Sequence, residues 1–109
     1  MNSEVYFCEE KLKIQYEKLS EGRSEDKELH KCISDAINIL KKDAFSGIQI
    51  PKKLIPKIYL KKYKIDNLWK LNLRKGWRLL YSVAGSKVAI ISIILEWMNH
   101  KEYEKRFNY

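Results

Sequence analysis

The sequence predicts an α+β fold: an N-terminal strand, a helical hairpin packed on a twisted, mostly antiparallel four-stranded sheet, and a short C-terminal helix or tail. Three patterns predict it: two-residue alternation over residues 67–83, helical periodicity over residues 9–40, and a continuous β-branched run over Val88–Leu95. A chain of 109 residues is large enough for one hydrophobic core. Residues 1–109 are therefore expected to form a single domain.

The rest of the chain is organised around the hairpin predicted over residues 67–83. Its two strands read Trp-Lys-Leu-Asn-Leu at Trp69–Leu73 and Trp-Arg-Leu-Leu-Tyr-Ser-Val at Trp77–Val83. Successive side chains of a strand point to opposite faces. The hairpin therefore has one apolar face and one largely basic face.

The length of the loop sets the register of this hairpin. A two-residue loop, Lys75-Gly76, would bring the apolar face of one strand against the basic face of the other. A three-residue loop over 74–76 keeps the faces matched and places Gly76 at the left-handed bulge position. We therefore predict the three-residue loop, which gives the cross-strand pairs Leu73–Trp77, Leu71–Leu79, Trp69–Tyr81 and Asn72–Arg78, with Lys70 one diagonal step from Arg78.

The N-terminal half carries a strand and two helices. Val5–Phe7 is a short β-prone run, and from about Glu9 to Gly22 the apolar spacing is helical. Ser24 is expected to cap a second helix. Its apolar stripe is the strongest helical pattern in the chain and comprises Leu29, Cys32, Ile33, Ala36, Ile37 and Leu40.

The connector over 48–64 contains Pro51 and Pro56 and is rich in lysine, so we expect an extended or irregular segment with at most one helical turn. After the hairpin, Ala84–Lys87 is predicted to turn and Val88–Leu95 to form a strand buried on both faces. Residues 96–100 are expected to leave the sheet. The tail over 101–109 is predicted to form one or two helical turns, with Phe107 and Tyr109 packing back on the sheet.

The net charge of +8 is unevenly distributed. Residues 1–51 contain eight Lys/Arg and ten Asp/Glu, residues 52–78 contain ten and one, and residues 79–109 contain four and three. The excess therefore belongs to the segment around the hairpin, which is typical of a polyanion-binding protein and most often of one that binds nucleic acid. The alternative is a solvated, lysine-rich surface without a specific partner.

The apolar run at Val88–Leu95 is too short to span a bilayer, and the polar N-terminus lacks the pattern of a signal peptide. Cys8 and Cys32 have no metal-ligand spacing, and Cys32 lies on the apolar helical stripe, which favours a small buried side chain over a disulfide or a catalytic thiol. These patterns predict a cytoplasmic protein with no membrane partner, no metal and no cofactor.

The element order and the hairpin motif resemble a known family. The strand Leu-Trp-Lys-Leu-Asn-Leu at 68–73, the following Gly-Trp-Arg-Leu-Leu-Tyr at 76–81, the apolar fourth strand and the terminal His-Lys-Glu-Tyr at 100–103 are similar to the RelE/ParE superfamily of type II toxins. The connector Ile-Pro-Lys-Lys-Leu-Ile-Pro at 50–56 further resembles archaeal-type members. RelE-like members cut messenger RNA in the ribosomal A site, whereas ParE-like members inhibit DNA gyrase and lack the nuclease residues.

The resemblance implies partners and site residues. The expected partners are messenger RNA on the ribosome and a cognate antitoxin protein that covers the basic groove. Cleavage through the ribose 2′-hydroxyl needs a base, cations that stabilise the phosphorane, and an acid for the leaving 5′-oxygen. The catalytic residues implied by the family motif are Lys70, Arg78, His100 and Tyr103, and the expected RNA-binding residues are Arg74, Lys75, Lys101, Arg106, Lys61, Lys62 and Lys64.

Individual roles follow from side-chain chemistry. Lys70 is suited either to act as the base or to hold phosphate as a cation, and Arg78 has the planar guanidinium that suits a phosphorane. His100 is the candidate acid or base, and Tyr103 is the candidate platform for an RNA base.

The chain departs from the best-known ribonucleases of the family at Asn72, where they carry a second lysine. An amide cannot act as a base. Two alternatives to the ribosome-dependent endoribonuclease therefore stay open: a ParE-like gyrase inhibitor without nuclease activity, and a basic RNA- or ribosome-binding module without catalysis.

Overall fold

The computed structural model of the protein describes residues 2–86 and 88–108. The elements in chain order are β1 (Glu4–Phe7), α1 (Glu10–Leu19), α2 (Ser24–Lys42), β2 (Ile48–Gln49), α3 (Lys57–Tyr63), β3 (Trp69–Asn72), β4 (Arg78–Gly85), β5 (Ile90–Met98) and α4 (His100–Phe107). The predicted α+β class is confirmed. None of the helices in the described part of the chain is long and apolar enough to cross a membrane.

The described strands form one mixed sheet in the order β1-β5-β4-β3-β2. Pairing is antiparallel except between β1 and β5, which run parallel with Glu4 opposite Ile91. The expectation of four strands was wrong by one, because Ile48 and Gln49 form β2 against Lys70 and Trp69. Two residues are too few to produce a recognisable alternation in the sequence.

The predicted hairpin register is confirmed. Trp69 lies opposite Tyr81, Leu71 opposite Leu79, and Asn72 opposite Arg78. The backbone N–H of Leu73 donates to the carbonyl of Trp77 at 2.8 Å, which closes the three-residue loop. Gly76 has the predicted left-handed conformation, with φ +79°.

The helical hairpin of α1 and α2 covers one face of the sheet. The core on this side contains Leu12, Ala36, Leu40, Leu79, Tyr81 and Ile94. Cys32 is a buried free cysteine, as predicted. The expectation that Ser24 caps α2 was wrong, since Ser24 is the first helical residue and Arg23 is the cap, with its backbone N–H donating to Asp26 Oδ2.

The other face of the sheet is covered by α3 and α4. The packing of the tail on the sheet was predicted, whereas a seven-residue helix in the connector was not. Leu80, on the face predicted to be largely basic, is fully buried. The core on this side contains Ile50, Ile55, Tyr59, Leu68, Leu80, Leu95, Met98, Tyr103 and Phe107. The protein therefore has three layers with the sheet in the middle.

The connector is more regular than predicted. A 3₁₀ turn at Lys52–Leu54 is followed by the seven-residue helix α3. Pro56 immediately precedes α3, where proline is tolerated because the first helical N–H groups have no intrahelical acceptor. Pro51 likewise precedes the 3₁₀ turn, so each proline stands before a helical segment and interrupts neither.

The last strand lies further along the chain than predicted. β5 begins at Ile90 and continues to Met98, so residues 96–98 stay in the sheet, and Val88 is 94% exposed. Ala84 and Gly85, predicted as part of a turn, belong to β4, and Lys87 of that turn lies outside the described residues. Phe107 packs on the sheet as predicted, while Tyr109 also lies outside the described residues.

Candidate functional site

The structure brings the four predicted catalytic residues together at the loop end of the hairpin. Lys70 on β3 places Nζ 4.7 Å from the ring centroid of Tyr103 on α4. Arg78 on β4 places its guanidinium carbon 5.5 Å from the same centroid. Arg78 Nη2 lies 3.3 Å from Nδ1 of His100. We call Lys70, Arg78, His100 and Tyr103 the basic cluster.

The hairpin loop fixes the position of Arg78. Arg78 is the first residue of β4, and its Nη1 donates to the carbonyl oxygens of Gly76 at 2.9 Å and of Trp77 at 3.4 Å. These bonds hold one edge of the guanidinium against the backbone. The Nη2 side is thereby turned toward His100.

Two local features place His100. The side chain of Asn99 caps α4 by accepting the backbone N–H of Glu102 at 2.9 Å, so the helix begins at His100. Gly76 lies against the histidine, since a Cβ there would be 3.1 Å from His100 Cβ. Glycine at position 76 therefore serves both the left-handed backbone and the close approach of α4.

The ring of Tyr103 is buried and packs against its neighbours. Its side chain is 7% exposed and its ring stacks on Phe107 at 4.4 Å between centroids. Lys70 and Arg78 lie over this buried ring, at distances that suit cation–π contacts. That Tyr103 orients an RNA base stays a prediction.

Two buried polar atoms of the basic cluster have no hydrogen-bond partner. Among the described side chains, the buried nitrogen and oxygen atoms without a partner are Arg78 Nε and the hydroxyl oxygen of Tyr103. Such atoms cost free energy unless they serve a function or meet a ligand. Their coincidence with two cations indicates a site suited to an anion.

Sequence reasoning missed one charged member of this site. Glu104, one turn after His100 on α4, accepts from His100 Nε2. The spacing of four residues on a helix was visible in the sequence and is the spacing at which side chains meet. The tail was not predicted in enough detail to use it.

The two loop cations face the helical hairpin and not the basic cluster. Arg74 Nη2 lies 3.6 Å from Asp35, and Lys75 Nζ lies 2.9 Å from Glu28, both acids being on α2. All four side chains are largely solvated. The predicted RNA-binding role of Arg74 and Lys75 thus competes with ion pairs on the opposite side of the sheet.

Arg106 belongs to the packing between α4 and the rest of the protein. Its Nη1 lies 3.1 Å from Glu96 on β5 and 3.3 Å from the hydroxyl of Tyr59 on α3. Its role as a phosphate contact stays a prediction, since here the guanidinium binds these two partners. Lys101 is exposed on the first turn of the same helix.

The three lysines of the connector are spread over the exposed side of α3. Lys61 and Lys62 lie in the helix and Lys64 ends it in a left-handed conformation. Lys62 lies 5.2 Å from the Tyr63 ring centroid and lines a groove with Cys8 and Glu9 beyond β1. The groove also includes Ile93 and Leu95 of β5. Lys70 lies on β3, so β4 runs between it and the strand that lines the groove.

Comparisons of the chain with models of protein families, with curated proteins and with solved structures find no match.

Asn72, opposite Arg78, is exposed and contributes an amide to the same end of the hairpin. Residues 2–86 and 88–108 contain no group of three or more His, Cys, Asp or Glu side chains that could hold a metal ion. The basic cluster is thus the candidate site that the geometry supports best.

Proposed function

We propose that the protein is a RelE-like toxin of a type II toxin-antitoxin system, an endoribonuclease that cuts messenger RNA on the ribosome. The observation that carries the proposal is the convergence of Lys70 and Arg78 on the buried ring of Tyr103, with His100 beside Arg78. A cation pair and an imidazole within one small region match the needs of RNA cleavage through the 2′-hydroxyl. The RelE-like character of the fold is part of the same proposal, supported by the helical hairpin on the sheet and by the motif at 68–81.

The proposed reaction is an internal transesterification. The ribose 2′-oxygen forms a bond to phosphorus, the bond from phosphorus to the 5′-oxygen breaks, and the products are a 2′,3′-cyclic phosphate and a 5′-hydroxyl. Lys70 first loses a proton to solvent and then, as the neutral amine, takes the proton of the 2′-hydroxyl, while protonated His100 gives one to the leaving 5′-oxygen. Arg78 stabilises the charge on the phosphorane, because its planar guanidinium matches two anionic oxygens.

Tyr103 has a supporting role in this proposal. Lys70 and Arg78 both lie over its ring, which stacks on Phe107. A preorganised guanidinium stabilises developing charge better than a mobile one, since no reorganisation is needed during the reaction. The partners are messenger RNA in the ribosomal A site and a cognate antitoxin in the cytoplasm.

The test is induction of the protein in cells without an antitoxin, followed by primer extension on translated messages. The wild-type protein is expected to stop growth and to produce new 5′ ends, and Arg78→Ala is expected to relieve both, with at least about a hundredfold less cleavage. Arg23→Ala, an exposed arginine at the start of α2, is the matched control and is expected to behave as wild type. Growth arrest with intact messages would contradict the proposal, and inhibition of plasmid supercoiling by the purified protein would then favour a ParE-like gyrase inhibitor.

Asn72 favours a second candidate function. It lies directly across from Arg78 and cannot act as a base, so the basic cluster has one fewer lysine than a two-lysine nuclease site. A basic module that binds RNA or the ribosome without cutting is the function that this observation supports. Tight RNA binding, abolished by Arg78→Ala but accompanied by no new 5′ ends from the wild type, would identify it.

A further inference from the structure

The ring of His100 lies between a hydrogen-bond acceptor, the carboxylate of Glu104, and a hydrogen-bond donor, the guanidinium of Arg78. Nε2 faces the carboxylate of Glu104 on the same helix, and Nδ1 faces Nη2 of Arg78 on β4 at 3.3 Å. The backbone of Gly76 packs against its Cβ from the loop side. Lys70 on β3 is the next cation and lies over the neighbouring Tyr103 ring.

These two contacts determine which nitrogen carries the proton in the unliganded protein. A carboxylate only accepts hydrogen bonds, so Nε2 must donate. A guanidinium only donates, so Nδ1 must accept and therefore has no hydrogen. The arrangement fits a neutral imidazole in the Nε2–H tautomer.

We propose that Glu104 is a positioning residue that holds His100 as the Nε2–H tautomer, so that Nδ1 takes up a proton when a phosphate group binds beside Arg78. An anion oxygen between Nδ1 and Nη2 needs donors on both sides. The imidazole supplies its donor only by accepting a proton from solvent, and the carboxylate of Glu104 stabilises the resulting imidazolium.

This inference rests on the proposed function only for the identity of the natural anion. In that setting the proton on Nδ1 is the one passed to the leaving 5′-oxygen, which returns His100 to the neutral form after each cleavage. Glu104 keeps its charge throughout and exchanges no proton. It acts on the reaction through His100 and is not itself catalytic.

The experiment is nitrogen-detected NMR of His100 in the full chain with and without sulfate, which remains a dianion across the range tested. Without sulfate at about pH 8, neutral His100 is expected to carry its proton on Nε2. At about pH 7, sulfate is expected to protonate Nδ1. In Glu104→Ala the neutral ring is expected to populate both tautomers, and sulfate affinity is expected to fall about tenfold, the equivalent of one charge-assisted hydrogen bond.

A matched control separates positioning from simple charge. Glu102→Gln and Glu104→Gln both remove one negative charge from the exposed side of α4, and bulk electrostatics alone would make both variants bind sulfate more tightly. The positioning role instead predicts that only Glu102→Gln binds more tightly, while Glu104→Gln keeps the tautomer but loses the sulfate-driven protonation.

Three outcomes would overturn the inference: an Nδ1–H tautomer in the wild type, an unchanged tautomer in Glu104→Ala, or equal tightening in the two glutamine variants. Each of these three outcomes is measured in the absence of RNA. Failure of RNA cleavage in the wild type, with the His100 behaviour as expected, would overturn the proposed function and leave the positioning role intact.

Discussion

Tyr81 illustrates how one side chain can join two parts of the fold. Its hydroxyl donates to the carbonyl of Ala44 at 2.8 Å and accepts the backbone N–H of Gly47 at 3.1 Å. Both partners belong to the segment after α2, so this hydroxyl ties that segment to β4. Burial raises the pKa of Tyr81 to about 12, while the hydrogen bond from Gly47 acts in the opposite direction.

We therefore predict a loss of stability in strong alkali. The pKa is raised on folding, so the stabilisation by protonated Tyr81 is fully present below the unfolded value of 10.0 and is lost as the pH rises toward about 12. Urea unfolding at stepped pH should show this fall, and Tyr81→Phe should reduce it. Part of the fall should remain in that variant, since burial also raises the pKa of Tyr59 and Tyr63.

Tyr81→Phe should lower the unfolding free energy by about 1–3 kcal/mol at neutral pH, because it leaves the buried Ala44 carbonyl without its donor. Tyr6→Phe, at an exposed position on β1, is the control and should change little. Equal pH profiles for the wild type and Tyr81→Phe would contradict the assignment of the alkaline loss to Tyr81.

At the level of residues, strand alternation located two of the four members of the basic cluster, Lys70 and Arg78. Strand alternation places Lys70, Asn72 and Arg78 on one face whatever covers that face. Whether that face is open depends on where α4 folds back, which no local pattern in the tail determines. The burial of Tyr103 and the pairing of His100 with Glu104 therefore had to come from the structure.

Helix α4 carries two members of the basic cluster, so its attachment to the sheet matters for the site. Arg106 connects it to Glu96 on β5 and to the Tyr59 hydroxyl on α3. Glu96 is 24% exposed and Arg106 35%, so the pair is partly shielded from solvent and worth more than a fully exposed one. The three elements are thereby joined at one point.

Arg106→Ala should lower the unfolding free energy by about 1–2 kcal/mol, because it leaves the partly buried carboxylate of Glu96 unpaired. Lys101→Ala removes the same charge from an exposed position of the same helix and should leave stability unchanged. Urea unfolding of the two variants measures the difference. Equal stability of both variants would contradict this structural role, and an accompanying loss of RNA binding in Arg106→Ala would support its predicted role as a phosphate contact.

At the level of elements, prediction succeeded where a pattern was long and failed where it was short. Helix α2 has a stripe over several turns, and the hairpin register followed from loop chemistry. Strand β2 is two residues long, and α3 follows two prolines that were interpreted as breaking a helix. The ends of β5 could not be predicted, because a continuous apolar run lacks the alternation from which strand boundaries are inferred.

At the level of the whole molecule, the basic excess is less concentrated than its position in the sequence indicates. Five of the ten cations of residues 52–78 lie in three separate places: Arg74 and Lys75 beside α2, Lys62 in the groove with Cys8 and Glu9, and Lys70 with Arg78 in the basic cluster. A net charge calculated over a segment does not reveal this division, since a sheet sends alternate residues to opposite sides.

The division predicts how RNA binding should depend on salt. Each phosphate contacted on a single strand contributes about 0.7 to the slope of log affinity against log salt. Arg78→Ala should reduce the slope by about that amount, whereas Lys62→Ala should leave it unchanged. Filter-binding titrations with a short single-stranded RNA over a range of salt concentrations measure both, and equal reductions would mean that one continuous basic surface binds the RNA.

The parallel pairing of β1 with β5 has a consequence for the order of synthesis. Residues 4–7 find their partners only at residues 91–94, and the helix carrying His100 and Tyr103 follows that strand directly. Strand β1 can pair only after β5 has been synthesised, and the basic cluster is complete only when α4 has followed β5. On the proposed function, cleavage therefore requires that residues 4–103 have all been synthesised and folded, so a nascent polypeptide that stops short of α4 is expected to be inactive.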